Sequence, residues 1–291
     1  MKEDNAESPF ASGMYRGIVS KNLVSPELLE FLRDPDRAFS DPASTIIKDS
    51  NTTSSCTVDR EQKSLHIKRY NYQSTFYALK NLFRTSRAKR VWKVAQNLIA
   101  CNISTPQPIS FLEQRKGRLL IKSFFISKKI DGALPLNIAI QELKPCRSSR
   151  GTTQKKILIQ QVAHLVRALH ECGICHRDLK ASNILVQKKP GQEQKLYLVD
   201  LDSARVQTRI LTKERIRDLA RLNASLFYAT GISTADRFRF LHDYLRPRNP
   251  RDEKLHLYWN AIAGQTYKKL KPHSMEHNSL SVTSQSLRKK C

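Results

Sequence analysis

One stretch of the sequence decides how the rest is interpreted, and it reads Cys175-His-Arg-Asp-Leu-Lys-Ala-Ser-Asn-Ile-Leu-Val186. It follows a strong helical period over residues 154–171 and continues into a short apolar strand. It carries a carboxylate on Asp178, an ammonium on Lys180 and, five positions after the carboxylate, an amide on Asn183. An oxygen base, a cation and a neutral oxygen ligand are the groups that a metal-assisted phosphoryl transfer requires.

The order His176-Arg-Asp-Leu-Lys-x-x-Asn183 is typical of the catalytic loop of protein-kinase-like enzymes. In that pattern, Asp178 accepts or orients the proton of the attacking hydroxyl, and Lys180 reaches the transferred γ-phosphoryl group. Asn183 turns back to hold a Mg²⁺ that bridges the phosphates of ATP. We therefore predict Asp178 and Lys180 as catalytic residues, and Asn183 as a cofactor-binding residue and metal ligand.

A second segment, Leu196-Tyr-Leu-Val-Asp200-Leu-Asp202, places an Asp directly after an apolar strand. Kinase-like enzymes have their metal-binding Asp at this position, usually as D-F-G. We assign Asp200 to the Mg²⁺ and the nucleotide. Asp202 stands where the glycine would be, and it is either a second metal ligand or a structural acid. The alternative for both residues is an ordinary turn at the end of a strand.

Two further residues match the kinase pattern in order and distance. Lys68 ends the strand Leu65-His-Ile-Lys68, and we predict that it binds the α/β-phosphates of the nucleotide. Asp218 lies on the predicted helix over residues 215–227, where an Asp can accept hydrogen bonds from the catalytic-loop backbone. Taken alone, each would be read as a solvated surface residue.

Three departures from protein kinases narrow the function. The expected phosphate-covering loop, over residues 48–57, contains no glycine, so its hydroxyl side chains would have to donate to the phosphates. No Asp or Glu occurs between Lys68 and Glu113, which leaves Gln96 as a neutral substitute for the acid that normally orients the lysine. Asp218 follows Asp200 by only 18 positions, and no A-P-E occurs. Because an activation loop and a peptide platform need that space, the acceptor should be compact, such as a sugar or lipid-linked hydroxyl.

The periodicities predict an α+β, protein-kinase-like bilobal fold with a small antiparallel β-rich N-lobe and a mainly helical C-lobe. In the first half we expect helices over 26–32 and 86–100, and strands over 44–48, 65–70, 109–112 and 119–126. In the second half we expect helices over 154–171, 215–227, 235–245 and 253–263, with a hairpin of strands 184–186 and 196–199. The corresponding regions are an N-terminal extension (1–42), the N-lobe (43–132), the C-lobe (133–268) and a Ser-rich, basic, disordered tail (269–291).

Composition sets the broad class. The chain has 291 residues, 40% of them apolar, which is enough for a sizeable core. It has no apolar run of membrane-spanning length, and its first residues lack the basic and apolar regions of a signal peptide, which favours the cytoplasm. Its six cysteines include the pair Cys172 and Cys175, which we interpret as structural thiols because no second pair stands at zinc spacing.

Charge points to a polyanionic partner. The net charge is +25, and residues 60–129 hold 16 Lys and Arg against two acids. Such a field attracts nucleotide phosphates, anionic lipid, phosphorylated glycan or nucleic acid, although a solvated basic face with no specific partner explains it equally well.

With these features together, the sequence resembles the lipopolysaccharide core sugar kinases of the Kdo/heptose (Kdo/WaaP) type. The catalytic loop is shared with all kinase-like proteins, and two blocks are specific to this family: Lys68-Arg-Tyr-Asn71 and Ser86-Arg-Ala-Lys-Arg-Val-Trp92. The other matching blocks are Leu32-Arg-Asp-Pro-Asp36, Lys48-Asp49 with Thr57-Val58, Ile103-Ser-Thr-Pro106, Val199-Asp-Leu-Asp202 and Arg217-Asp-Leu-Ala-Arg-Leu-Asn223.

The resemblance implies ATP- and Mg²⁺-dependent phosphorylation of a sugar hydroxyl in the inner core of lipopolysaccharide, at the cytoplasmic face of a bacterial inner membrane. It also gives the basic stretch 60–129 two partners, the acceptor glycolipid and the anionic membrane surface, in preference to nucleic acid. The candidate contacts are Lys80, Arg84, Arg87, Lys89, Arg90 and Lys93.

Other functions stay open. An atypical small protein kinase, bound to RNA or a ribosomal particle, would also use the basic charge. The missing glycines and helix acid favour a pseudokinase binding module, whereas the complete set Lys68, Asp178, Asn183 and Asp200 argues against one. An antibiotic or choline-type phosphotransferase rests on analogy of fold alone.

Overall fold

The computed structural model describes residues 7–23, 25–60, 63–71, 85–143, 149–227, 231–247 and 252–287. The chain divides into two compact units. The first comprises Met1–Ala133 together with Val199–Asp202, and the second comprises Leu134–Leu198 together with Ser203–Cys291. The predicted change from a β-rich first part to a helical second part is confirmed.

The first unit is built on an antiparallel sheet that has seven strands within the described residues. The order across the sheet is β1-β2-β6-β7-β5-β4-β3. The strands are β1 (Glu7–Ser12), β2 (Tyr15–Ser20), β3 (Ser44–Asp49), β4 (Thr53–Arg60), β5 (Lys63–Asn71), β6 (Pro108–Lys116) and β7 (Leu119–Lys128). Alternate residues of these strands point to one face and bury a core that includes Leu32, Ile67, Leu112, Phe124 and Ile126.

The N-terminal residues are part of this sheet, which corrects the expectation that 1–42 is an extension outside the N-lobe. β2 pairs with β6, and Gly17 lies opposite Leu112. A Cβ at Gly17 would stand 1.9 Å from the carbonyl oxygen of Phe111, so the two strands can approach this closely only because residue 17 is glycine. Pro9 in β1 and Gly17 in β2 interrupt the alternation of apolar and polar residues, so the sequence did not predict these two strands.

Two helices of this unit lie where the sequence placed them. α1 (Pro26–Leu32) begins after Ser25, whose hydroxyl accepts from the backbone N–H of Leu28. α2 (Arg87–Ala100) begins after Ser86 in the same way, and packs against β6 and β7. Its buried face carries Ala88, Val91, Trp92, Val94, Ala95 and Leu98.

The second unit is mainly helical. Its helices are α3 (Leu136–Glu142), α4 (Ser149–Glu171), α5 (Thr212–Ser225), α6 (Thr234–Leu245) and α7 (Glu253–Leu287). α4 packs against α6, and α5 packs against α7. One small sheet has the order β11-β10-β8, and a second pairs β12 with β9. These strands are β8 (Ala133–Pro135), β9 (Ile174–Cys175), β10 (Ile184–Gln187), β11 (Lys195–Leu198) and β12 (Arg205–Val206).

Gly173 connects α4 to β9. Its φ of +72° is a left-handed conformation that favours glycine, as expected for a residue that ends a helix. A Cβ there would lie 2.2 Å from the carbonyl oxygen of Gln207, which precludes any other residue without movement of the backbone. The close approach positions β9 beside β12, and the catalytic loop follows directly.

The C-terminal region differs from the expected disordered tail. The backbone of α7 is helical as far as Leu287, whereas we predicted a helix over 253–263 and disorder from 269. Residues 273–287, which follow Pro272, contain neither glycine nor proline, so that stretch has no helix-breaking residue. The Ser-rich, basic composition that suggested disorder does not by itself prevent a helix.

Candidate active site

The predicted site residues fall on both units, and each unit supplies a distinct set. In the first unit, Lys68 lies in β5, paired with Ser55 of β4 and Phe125 of β7. Its side chain is largely buried, and Nζ lies 2.7 Å from Asp200 Oδ1 and 2.7 Å from Asp202 Oδ2. The structure therefore brings together the predicted phosphate-binding lysine and both aspartates of the segment Val199–Asp202.

These two carboxylates keep Lys68 charged. Burial lowers the pKa of the Lys68 ammonium, but Asp202 and Asp200 outweigh it and raise that pKa above its usual range. The pKa of the neighbouring His66 shifts in the opposite direction. Burial and the charge of Lys68 lower the pKa of His66 to about 4, so its ring is neutral near pH 7. One ammonium therefore faces two carboxylates in this cluster.

Tyr70 is a site residue that the sequence analysis did not identify. Its hydroxyl donates to Asp202 Oδ1 at 2.5 Å, and only 1% of the residue is exposed. Burial, with Asp202 beside it, raises the pKa of Tyr70 well above its usual value, so the phenol stays protonated and remains a donor. A signal was present in the family-specific block, because Tyr70 follows Lys68 by two positions on a strand and therefore shares its face.

The rest of that block is structural. Arg69 Nη1 donates to Asp36 Oδ1 at 2.9 Å, and the same carboxylate accepts from Lys122 and from Tyr15. Asp36 belongs to the Leu32–Asp36 block, so two blocks that resemble the family in sequence contact each other in the structure. They fix the strand that carries Lys68.

Gln96 does not take the place that the sequence suggested for it. Its side-chain amide donates to Glu7 Oε1 at 3.3 Å, and Trp92 Nε1 donates to the same oxygen at 2.9 Å. The two residues therefore link α2 to β1. The partners of Lys68 are the two aspartates.

The stretch expected to cover the phosphates is a tight hairpin rather than a long loop. β3 ends at Asp49 and β4 begins at Thr53, so most of residues 48–57 are in strands. The Ser50 hydroxyl donates to the Thr53 carbonyl at 2.7 Å, and the Ser54 hydroxyl donates to Asp49 at 2.6 Å. Side chains thus supply the turn geometry in a stretch that contains no glycine.

The catalytic loop lies in the second unit, between β9 and a 3₁₀ turn at Ala181–Asn183. The backbone of this loop is hydrogen-bonded to Asp218, which is fully buried. Asp218 Oδ2 accepts from the backbone N–H of His176 at 2.8 Å, and Oδ1 accepts from that of Arg177 at 2.9 Å. The predicted contact of Asp218 is therefore confirmed, and it stabilises Arg177 at a φ of +64°.

A buried polar network supports Asp218. The Cys175 thiol donates to Asp218 Oδ2 at 3.2 Å, and the ring of His170 lies 3.5 Å from the same oxygen. Burial, together with Asp218, raises the pKa of Cys175 to about 12, which makes it an unreactive thiol. Within the described residues, neither Cys172 nor Cys175 forms a disulfide. Cys146 and Cys291 lie outside the described residues.

The three predicted residues of the loop contact one another. Asp178 Oδ2 lies 2.9 Å from Lys180 Nζ, and the Asn183 side-chain amide donates to the Asp178 carbonyl at 2.9 Å. This bond orients the Asn183 amide so that its nitrogen faces the Asp178 carbonyl. The Oδ1 atom, which the Ser182 hydroxyl contacts at 3.5 Å, is then the atom suited to a metal. The arrangement can present a carboxylate, an ammonium and an amide oxygen to a substrate.

Arg221 is a second residue that the sequence analysis missed. Its Nη1 atom lies 3.4 Å from Asp178 Oδ1, so the carboxylate has a cation on each oxygen. Arg221 stands on α5, three positions after Asp218, and therefore on the same side of the helix. That spacing within Arg217–Asn223 was the available signal.

The donor types at the predicted metal positions suit Mg²⁺. Mg²⁺ prefers oxygen ligands, and it takes one or two from the protein and the rest from phosphates and water. Asp200 and Asn183 each offer an oxygen of this kind. Among the described residues no group of three or more His, Cys, Asp or Glu could hold a metal ion.

Two other properties of the structure bear on membrane and ligand binding. None of the helices in the described ranges is long and apolar enough to cross a membrane. The second unit contains an apolar cavity of about 310 Å³. Residues from α3 to α7 surround it, among them Ile140, Val162, Leu219, Leu241, Ile262 and Ala263.

The sequence of this chain matches one family model, described as the lipopolysaccharide kinase (Kdo/WaaP) family, over residues 36–244. A 3-deoxy-D-manno-octulosonic acid kinase of Haemophilus influenzae is 34% identical over 120 residues, which are 40% of this chain and 45% of that protein. The lipopolysaccharide core heptose(I) kinase WaaP of Pseudomonas aeruginosa is 26% identical over 162 residues, 55% of this chain and 59% of that one. The chain thus spans about half the length of these curated relatives.

A longer match is the Escherichia coli heptose(I) kinase WaaP, which is 24% identical over 219 residues, 73% of this chain and 82% of the relative. Among solved structures, "WaaP in complex with acyl carrier protein" superimposes with a TM-score of 0.66 and 21% identity. It covers 86% of this chain and 97% of the solved one. This likeness confirms the predicted fold.

Proposed function

Because this chain belongs to the lipopolysaccharide kinase (Kdo/WaaP) family, we propose that it transfers the γ-phosphoryl group of ATP to a sugar hydroxyl of the lipopolysaccharide inner core, on Kdo or heptose. The Asp178 carboxylate carries the proposal. It is held by Lys180 and Arg221, on a loop whose backbone is bonded to the buried Asp218. Groups placed so firmly are what catalysis by preorganisation requires.

In the proposed reaction the acceptor hydroxyl donates a hydrogen bond to Asp178 and loses its proton to that carboxylate. The freed oxygen forms a bond to the γ-phosphorus, while the bond from that phosphorus to the bridging β,γ-oxygen breaks and ADP leaves. Lys180 and Arg221 stabilise the negative charge on the transferred group. The ion pairs of Asp178 with both cations hold its carboxylate in one orientation toward the hydroxyl.

We assign nucleotide binding to Lys68, Asp200 and Asn183. An ammonium has three donors, so Lys68 can bind a phosphate oxygen while it retains its bonds to Asp200 and Asp202. Bound Mg²⁺ would neutralise charge on the β- and γ-phosphates, and Asp200 and Asn183 are the oxygen donors proposed for it.

The segment after Asp200 favours a compact acceptor over a peptide. It forms a 3₁₀ turn at Leu201–Ser203 and the two-residue strand β12, and α5 begins at Thr212. These residues are all described, and they leave no room for the activation loop and peptide platform of protein kinases. A sugar hydroxyl on a glycolipid needs neither.

The basic stretch 60–129 then has a function as the contact for an anionic membrane surface and the phosphorylated glycolipid. α2 contains four Lys and Arg residues and no acid, and Lys93 is exposed on it. Lys80 and Arg84 lie outside the described residues. We propose that these charges hold the chain at the cytoplasmic face of a membrane, which is where an unfinished core glycolipid would be met.

The experiment is Mg²⁺-dependent transfer from γ-labelled ATP to intact and deacylated core lipopolysaccharide, beside a generic protein substrate and with the Asp178→Ala protein as control. Label in the glycan that disappears in the variant supports the sugar kinase. Label in protein alone would replace it with the atypical protein kinase, and no label together with no nucleotide binding would favour the pseudokinase.

We also propose that the apolar cavity of the second unit receives an acyl chain presented by a carrier protein. One solved relative is in complex with acyl carrier protein, and the cavity's volume of about 310 Å³ is within the range of ligand sites. Calorimetry with acylated and unacylated carrier protein tests this. Only the acylated form should bind, and Ala263→Phe, which fills the cavity, should abolish binding, whereas Leu257→Ala on the exposed face of α7 should not.

A further inference from the structure

A phosphate-binding lysine on a strand needs an acid to orient it, and in protein kinases a Glu on the neighbouring helix supplies that acid. This chain has no Asp or Glu between Lys68 and Glu113, so α2 cannot provide one. The structure nevertheless holds the Lys68 side chain in one place, with only 17% of it exposed. Some other residue must perform the task.

Asp202 occupies the required position. Its Oδ2 atom lies 2.7 Å from Lys68 Nζ, and its Oδ1 atom accepts the hydroxyl of Tyr70. Tyr70 and Lys68 lie two positions apart on β5, so the same strand carries the lysine and the donor that orients its acid. Asp202 thus lies between the lysine and the tyrosine and contacts both.

The two aspartates of this cluster differ in their surroundings. Asp200 is the more exposed, at 43% of its side chain, whereas Asp202 is 29% exposed and has a direct partner on each oxygen. Of the two carboxylates, that of Asp200 is therefore the more accessible to a metal ion.

We propose that Asp202, held by the Tyr70 hydroxyl, is the positioning residue for Lys68, and that it replaces the missing helix acid rather than serving as a second Mg²⁺ ligand. The inference rests on the proposed function only in taking Lys68 as the phosphate-binding lysine. It concerns nucleotide binding and not the identity of the acceptor.

The test is equilibrium binding of a fluorescent ATP analogue, measured with and without Mg²⁺. The main variant is Tyr70→Phe, because it removes one hydroxyl and changes no charge. We expect its affinity for the metal-free nucleotide to fall about three- to tenfold. The lost bond acts on Lys68 only through Asp202, so its effect should be smaller than the roughly ten- to hundredfold of a direct hydrogen bond to a charged group. The Mg²⁺ concentration at half-saturation should stay as in the wild type.

A matched control removes a different tyrosine hydroxyl. Tyr197→Phe loses a bond to Gln187 in the second unit, so it should bind the nucleotide as the wild type does. Thermal unfolding of both variants shows whether a general loss of stability explains the result. A wild-type nucleotide affinity for Tyr70→Phe would overturn the proposal.

Asp202→Asn and Asp200→Asn separate positioning from metal binding. Asp200→Asn should raise the Mg²⁺ concentration at half-saturation about tenfold or more, and Asp202→Asn should leave it within about twofold. Equal increases in both variants would make Asp202 a metal ligand and refute the inference. If the wild type binds no nucleotide, the proposed function fails and this inference fails with it. If binding follows the expected pattern but no glycan is labelled, only the proposed acceptor is wrong.

Discussion

The Nη1 atom of Arg221 lies 3.4 Å from the Oδ1 atom of Asp178, on the carboxylate oxygen opposite the one that Lys180 contacts. Asp178 is thereby held between a cation of its own loop and a cation of α5. A carboxylate fixed in this way cannot rotate freely, so an acceptor hydroxyl bound to it would have a defined orientation.

Replacing Asp178 should abolish phosphoryl transfer without loss of nucleotide binding. Asp178→Asn keeps the size of the side chain but removes the base, so kcat should fall about 10²–10⁴-fold. The dissociation constant of the Mg²⁺–nucleotide complex should change little, because Lys68 and Asp200 are intact. Steady-state kinetics and equilibrium binding measure the two effects, with Asp41→Asn as the control. Wild-type turnover in Asp178→Asn would make the catalytic assignment wrong.

Replacing Arg221 should lower kcat and leave nucleotide affinity unchanged. Arg221→Met preserves much of the apolar stem but removes the charge beside Asp178, and we expect kcat to fall about tenfold. Arg209→Met, which changes an exposed arginine before α5, is the matched control. A loss confined to the KM for ATP would place Arg221 in nucleotide binding instead.

Several candidate site residues could be named from the sequence because they lie close together in the chain or on a fixed pattern. Asp178, Lys180, Asn183 and Asp218 were identified in this way. Arg221 and Tyr70 were missed, since each acts on a residue that is distant in sequence, 43 positions away for Arg221 and 132 for Tyr70. Side-chain contacts of that range depend on packing and cannot be read from spacing.

Stability should fall in acid, and Asp36 should account for part of the fall. Burial raises the pKa of Asp36, but hydrogen bonds from Lys122 and Arg69 outweigh it and hold that pKa below its usual value. The folded protein therefore binds the proton less readily than the unfolded chain, whose aspartates titrate at about pH 4. The contribution is complete above that pH and is lost as the pH falls through the folded-state pKa.

Urea unfolding at several pH values between 7 and 3 measures this contribution. Asp36→Asn should lower the free energy of unfolding at pH 7 by about 1–3 kcal/mol, because Lys122 and Arg69 lose a charged acceptor. The difference from the wild type should shrink toward pH 3. Asp131→Asn, at a site where the side chain is 68% exposed, should lie close to the wild type throughout. A difference that does not depend on pH would exclude the ionised carboxylate as its cause.

The fold was predicted where one periodicity dominated and missed where strands were short. α2 and α4 have long apolar faces, and their positions were predicted within a few residues. β1, β2 and β4 were missed because Pro9, Gly17 and the serine- and threonine-rich start of β4 do not form a clear alternation. In these strands the sheet neighbours determine the structure, and neighbours such as Leu112 opposite Gly17 are visible only in three dimensions.

The basic helix α2 should bind anionic membranes. Lys89→Glu with Lys93→Glu reverses two charges on one helix, and each basic residue near an anionic surface contributes about 1 kcal/mol, so affinity for vesicles with anionic lipid should fall at least tenfold. The matched control is Lys188→Glu with Lys189→Glu, which makes the same change in net charge on exposed residues after β10. Sedimentation with vesicles at low and high salt gives the affinities, and the wild-type binding should weaken as salt screens it. Equal losses of affinity in both double variants would mean that net charge, rather than α2, governs the binding. Vesicle binding that salt does not weaken would indicate an apolar contact instead.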